Sequence, residues 1–149
     1  MKRLVFLGLV ALVAASTAQS QFIGNNPGNA PWGPGPAGLP KGAKMILVSG
    51  NPTKEGPYTV RMRYPAGYRI GPHRYSSAVS FKIITGGLTY GLGTDTHSGI
   101  KSLIKGRTGT VPANTYYYAS TSMGATMEFK GTGPMTIEYA RAKDDPRKK

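Results

Sequence analysis

Strict alternation of apolar and polar residues, cut at short intervals by glycine and proline, is the feature that most limits what this chain can become. Tyr58, Val60, Met62 and Tyr64 alternate with Thr59, Arg61 and Arg63. Val79, Phe81 and Ile83 alternate with Ser80 and Lys82. Ala125, Met127 and Phe129 alternate with Thr126, Glu128 and Lys130, and Met135, Ile137 and Tyr139 with Thr136 and Glu138. Successive side chains of a strand point to opposite faces, so each run is a strand with one face to bury and one to wet. Gly106, Gly109, Gly131 and Gly133-Pro134 punctuate the runs, and Gly86-Gly87 and Gly91-x-Gly93 read as hairpin turns. Such short strands, with no helical stretch after the first twenty residues, predict an all-β sandwich or barrel.

The ends of the chain read differently. Met1-Lys2-Arg3 is a cationic start, and Leu4 to Ala15 is an apolar run too short to span a bilayer comfortably. Small residues follow, so residues 1–20 are expected to be a secretory signal cleaved after Ala18 or Ser20. That implies a secreted or periplasmic protein with no stable membrane anchor after cleavage. Residues 21–43 are rich in Gly, Pro and Asn and predict an extended arm, ordered where Trp32 and Leu39 find apolar contacts. The barrel is expected over 44–142 and a basic tail over 143–149.

The chain has no cysteine, which removes thiolate metal sites, thiol catalysis and disulfides; the core alone must hold the domain. Its formal net charge is +13. Loss of Lys2 and Arg3 with the signal leaves 17 basic and 6 acidic residues, a net of +11. Such a surface attracts polyanions, although no nucleic-acid motif is present and no specific nucleic acid is expected. The few carboxylates form no pair placed for glycosidase work, and no serine elbow or phosphate-cradling loop appears.

Two segments carry a recognisable frame. The first runs from Gly67 through His73, Tyr75 and Val79 to Gly86; the second runs from Gly106 through Pro112, Asn114 and Tyr117 to Thr121. These spacings resemble the two motifs of the cupins. The likeness extends to Trp32, Leu39-Pro40-x-Gly42, Ser49-Gly50-Asn51-Pro52, Gly56-Pro57-Tyr58, Tyr64-Pro65-Ala66-Gly67-Tyr68, Gly133-Pro134 and Asp144-Asp145-Pro146-Arg147. The resemblance implies a jelly-roll β-barrel, and pairing through the sheets into a homodimer. In the family the frames supply His-x-His, a Glu and a further His that together hold a divalent metal. Here His73 keeps the first place, while Tyr75, Val79 and Tyr117 occupy the others.

The expectation is therefore a cupin-type barrel without its usual metal centre or any cofactor. Its favoured role is binding or structural, not enzymatic. A small neutral or anionic ligand would sit against His73, Tyr75, Tyr117, Phe81 and Tyr90. One alternative is a dioxygenase- or isomerase-like enzyme holding Fe or another transition metal on His73, Tyr75 and Tyr117, with His97 reaching over the barrel mouth from its loop. Another is a polyanion-associating secreted protein. Tyr116 and Tyr118 are expected on the outer face, covered by the arm or by a second subunit.

Overall fold

The computed structural model describes residues 30–149. The signal expected at 1–20, and the arm as far as residue 29, lie outside the described residues. Ten strands follow in order: β1 (Gly33–Pro34), β2 (Lys44–Ser49), β3 (Gly56–Tyr64), β4 (Arg69–Tyr75), β5 (Val79–Leu92), β6 (Lys101–Ile104), β7 (Thr108–Val111), β8 (Tyr117–Ser120), β9 (Ala125–Gly133) and β10 (Ile137–Tyr139). They form one curled sheet in the order β1-β2-β3-β9-β5-β8-β4-β10, with β6 and β7 also pairing to β5. Every pairing is antiparallel.

The curl comes from β5. Its first half pairs with β7 and β9, and its second half with β6 and β8, so one strand belongs to both walls. Gly86 makes the crossing. Its φ is +74°, and a Cβ there would collide with the Gly124 carbonyl. The Gly86-Gly87 pair is thus a bend inside a fourteen-residue strand and not the expected hairpin turn. Gly91 is also inside β5, because Tyr118 on β8 packs where its side chain would be. Gly109 lies in β7, and Gly131 and Gly133 in β9. A strand tolerates glycine where another group must come close, and that exception defeats the reading of glycine as punctuation.

The alternation correctly selects the core. Tyr58, Val60, Met62, Tyr64, Val79, Phe81, Ile83, Ala125, Met127 and Phe129 all face inward and are buried. Opposite them, Arg61 on β3 meets Glu128 on β9 at 3.9 Å. The last run is shorter than its pattern: β10 holds three residues, and Met135 and Ile137 are only partly buried.

The described part of the arm closes the seam between β2 and β10. Gly35 N–H donates to the Ala43 carbonyl at 2.8 Å, and Leu39 and Ala43 are buried. The Tyr139 hydroxyl donates to the Gly38 carbonyl at 2.8 Å, and that of Tyr68 to the Pro40 carbonyl at 2.6 Å. Gly38 presses so closely on Ile137 that a Cβ would lie 2.9 Å from its Cδ1. Trp32 lies under the Arg63 guanidinium, 4.0 Å from the ring centre, a cation–π contact. At the other end the tail is anchored by Asp145, whose carboxylate accepts from the Arg147 guanidinium at 2.8 Å while Arg147 also donates to the Ile137 carbonyl.

Candidate functional site

β4 lies between β8 and β10, with His73 opposite Tyr117 on one side and Tyr139 on the other. The pairing of β4 with β8 shifts register between Ile70 and His73. That irregularity, at Gly71-Pro72, lets both Ile70 and His73 face inward although they are three residues apart. His73 is completely buried. Its ring stands 5.3 Å from that of Tyr75, 4.2 Å from Tyr117 and 5.6 Å from Tyr139, centre to centre.

The protonation of this group follows from its contacts. Nδ1 lies 2.8 Å from the Gly71 carbonyl oxygen, which can only accept, so Nδ1 carries the proton and Nε2 the lone pair. Nε2 is buried and has no hydrogen-bond partner among the described residues. Burial lowers the imidazole pKa to about 4 against the opposing pull of the Gly71 carbonyl, so the ring is neutral near pH 7. Burial likewise pushes the Tyr75 phenol up to about 12, with the Tyr117 hydroxyl opposing the rise. Tyr117 and Tyr139 are raised too, by burial first and by Tyr75 next.

This donor set does not fit a divalent ion. It offers one imidazole nitrogen and phenols that burial holds in their neutral form, and Val79 has no donor atom. Among the described residues no three His, Cys, Asp or Glu side chains converge. His97 does not join the group. Its side chain is 93 % exposed, and it lines a groove with Arg69, Thr89, Tyr118 and Ser120, over the outer face of β8. The expectation of a loop reaching over the barrel mouth is thereby corrected. Residues 93–100 fold back on the outside, where the Ser98 carbonyl accepts from the Tyr118 hydroxyl at 2.8 Å. The same loop, not the arm or a partner subunit, is what covers Tyr118. Tyr116 is half-buried under the Arg74 guanidinium.

The five residues expected to meet a ligand divide into two groups. His73, Tyr75 and Tyr117 come together. Phe81 and Tyr90 pack edge to face at 5.4 Å, and Phe81 stacks on Phe129 at 5.3 Å, as a second aromatic group. Tyr139 completes the ring around His73. The alternation points it inward, but neither motif frame includes it. Beside Tyr75 lies a cavity of about 20 Å³, bounded also by Tyr58, Val60, Met62, Tyr64 and Phe129. That is room for about one water. Pro36, Met45, Pro52 and Met135 line both this cavity and an outer vestibule of about 360 Å³. Met135 is held at that boundary by the Tyr58 hydroxyl, 2.9 Å from its sulfur.

No family model and no curated protein matches the chain. Solved structures do. A candidate acetylacetone dioxygenase from Methylibium petroleiphilum is 19 % identical, with 78 % of each chain covered and a TM-score of 0.59. An RmlC-like cupin from Shewanella frigidimarina is 16 % identical over 61 % of this chain and 76 % of that one, with a TM-score of 0.53. A DMSP lyase structure is 14 % identical over 66 % of this chain, with a TM-score of 0.56, and the match spans only 53 % of its own length. The fold of this chain is the cupin fold: an all-β jelly roll curled around one core.

Proposed function

We propose that this is an exported cupin-fold binding protein that works without a catalytic metal. The observation that carries the reading is His73: a neutral, buried imidazole with an unused acceptor nitrogen, ringed by Tyr75, Tyr117 and Tyr139. Leaving such an acceptor unpaired in a core costs about 1–3 kcal/mol. A ligand that donates one hydrogen bond to it recovers that cost. Apolar walls with a few directed polar groups are the usual composition of a small-molecule site.

The ligand is a small molecule that reaches the interior through the vestibule. The cavity has room for about one water, and His73 lies behind Tyr75 outside its lining, so a ligand that reaches the imidazole requires Met135 to swing away from the Tyr58 hydroxyl and Tyr75 to turn aside. A methionine side chain is flexible enough to do so. The reading also holds that the frame once suited to a metal has kept its walls and lost its ligands, and that residues 1–20 direct the chain out of the cytoplasm.

The test is a thermal-shift screen of small neutral and anionic metabolites, followed by calorimetry on hits with the wild type and with His73→Ala combined with Tyr117→Phe. Binding that disappears in the double variant supports the proposal. Elemental analysis of protein purified without added metal runs beside it. An equivalent of iron with a tyrosinate charge-transfer band defeats the proposal and favours a metalloenzyme.

A further inference from the structure

The outer face of the second wall carries a feature that the interior does not explain. Register places Ser102 on β6, Thr89 on β5, Ser120 on β8 and Arg69 on β4 side by side across four strands. Thr89 and Ser120 stand at the floor of the outer groove, and the Thr89 and Ser102 hydroxyls are 3.5 Å apart. Thr96 and His97 form one wall, and Arg141 stands among the other lining residues. The groove encloses about 370 Å³, and two carboxylates flank its lining: Asp144 beside Gly71 and Arg141, and Asp95 3.5 Å from the His97 Nδ1. Arg141 shares its guanidinium with Asp144 through a 2.7 Å contact from Nε. Arg69 makes no ion pair among the described residues.

We propose that this groove binds a small hydroxylated anion, of the sugar-phosphate or sugar-carboxylate kind. Asp144 already pairs with Arg141, so Arg69, which has no carboxylate partner among the described residues, supplies the positive potential that a single oxyanion relieves. Arginine suits that task because its planar fork meets carboxylate and phosphate oxygens in pairs. Threonine and serine hydroxyls both donate and accept, so the row on the floor matches the alternating needs of sugar hydroxyls. The volume falls in the range of small-molecule sites, roughly 300–1,000 Å³, and exceeds what a bare oxyanion needs. Tyr118 holds the architecture: its hydroxyl ties down the covering loop, and Gly91 leaves space for its ring. His73, Tyr75, Tyr117 and Tyr139 are not among the residues that line the groove, so the inference stands apart from the interior site.

The experiment titrates the full mature chain at low ionic strength with glucose 6-phosphate, glucuronate, glucose and inorganic phosphate, followed by calorimetry. One or both of the anionic sugars are expected to bind, and glucose is not. Arg69→Ala is expected to weaken binding roughly tenfold or more, the usual scale for losing a charge-assisted hydrogen bond. Arg69→Lys should restore part of it, and Lys105→Ala, which alters a cation outside the groove, should change nothing. Arg141→Ala gives a second reading from another element. The inference is overturned if neither anionic sugar binds or if glucose binds as well as they do. It is equally overturned if Lys105→Ala weakens binding as much as Arg69→Ala, which would mark general charge attraction. Inorganic phosphate binding as tightly as glucose 6-phosphate removes the role given to the hydroxyl row.

Discussion

Replacing His73 by phenylalanine should erase a defined part of the protein's acid sensitivity. The imidazole pKa is 6.5 in an unfolded chain and about 4 in the core. The folded value is the lower one, so protons favour the unfolded chain. Stability from this group is therefore intact above about pH 6.5 and falls as pH drops towards 4, where the loss levels off. At 1.36 kcal/mol per pKa unit, the full penalty is about 3 kcal/mol, and about 2 kcal/mol has accrued by pH 5. The ionisable groups stacked around the ring are Tyr75, Tyr117 and Tyr139, all uncharged throughout that window. Urea titrations of both proteins at about pH 7 and pH 5 measure it. The substitution changes no other ionisable residue, so the pH dependence common to both proteins cancels in the double difference. The wild type should lose about 2 kcal/mol more than His73→Phe between the two conditions. Equal losses would refute a neutral, buried His73, and with it the lone pair on which the interior site depends.

Gly86→Ala should cost about 2 kcal/mol or more in urea denaturation. It adds the left-handed penalty of roughly 1–2 kcal/mol to a collision with the Gly124 carbonyl. Phe81→Ala should cost about 3–5 kcal/mol by the same assay, because it empties the centre of the second aromatic group. Tyr139→Phe should cost about 1 kcal/mol and speed limited proteolysis within residues 35–43, since the Gly38 carbonyl loses its donor. A variant cut no faster than the wild type would mean that other contacts hold the arm.

The core was legible in the sequence wherever one face of a strand is buried and the other wet, as in β3, the first half of β5 and β9. Those runs alternate because burial forces them to. The parts that were not legible depend on contacts between distant residues. Nothing local marks Gly86 as a bend within a strand; its reason is the Gly124 carbonyl, thirty-eight residues on. The inward placement of His73 beside Tyr75 and Tyr117 was legible from the motif frame. The Gly71-Pro72 irregularity that aligns it with Ile70, and the role of Tyr139, emerge only from pairing with β8 and β10. For Phe81 and Tyr90, alternation gives the inward face and not the position along the barrel, so it cannot separate them from His73. The motif frame gives the outward direction of Tyr118, but the element covering it is a loop whose turn-rich composition gives no hint of where it folds.

The fourteen residues of β5 also bear on how the molecule comes apart. Neither wall has a complete hydrogen-bond ladder without this strand, so neither can melt while the other persists. Slow amide exchange at Phe81, in the first half, and at Tyr90, in the second, should then report one opening free energy. The protein would fail as a single unit, splitting along the one strand that both halves own.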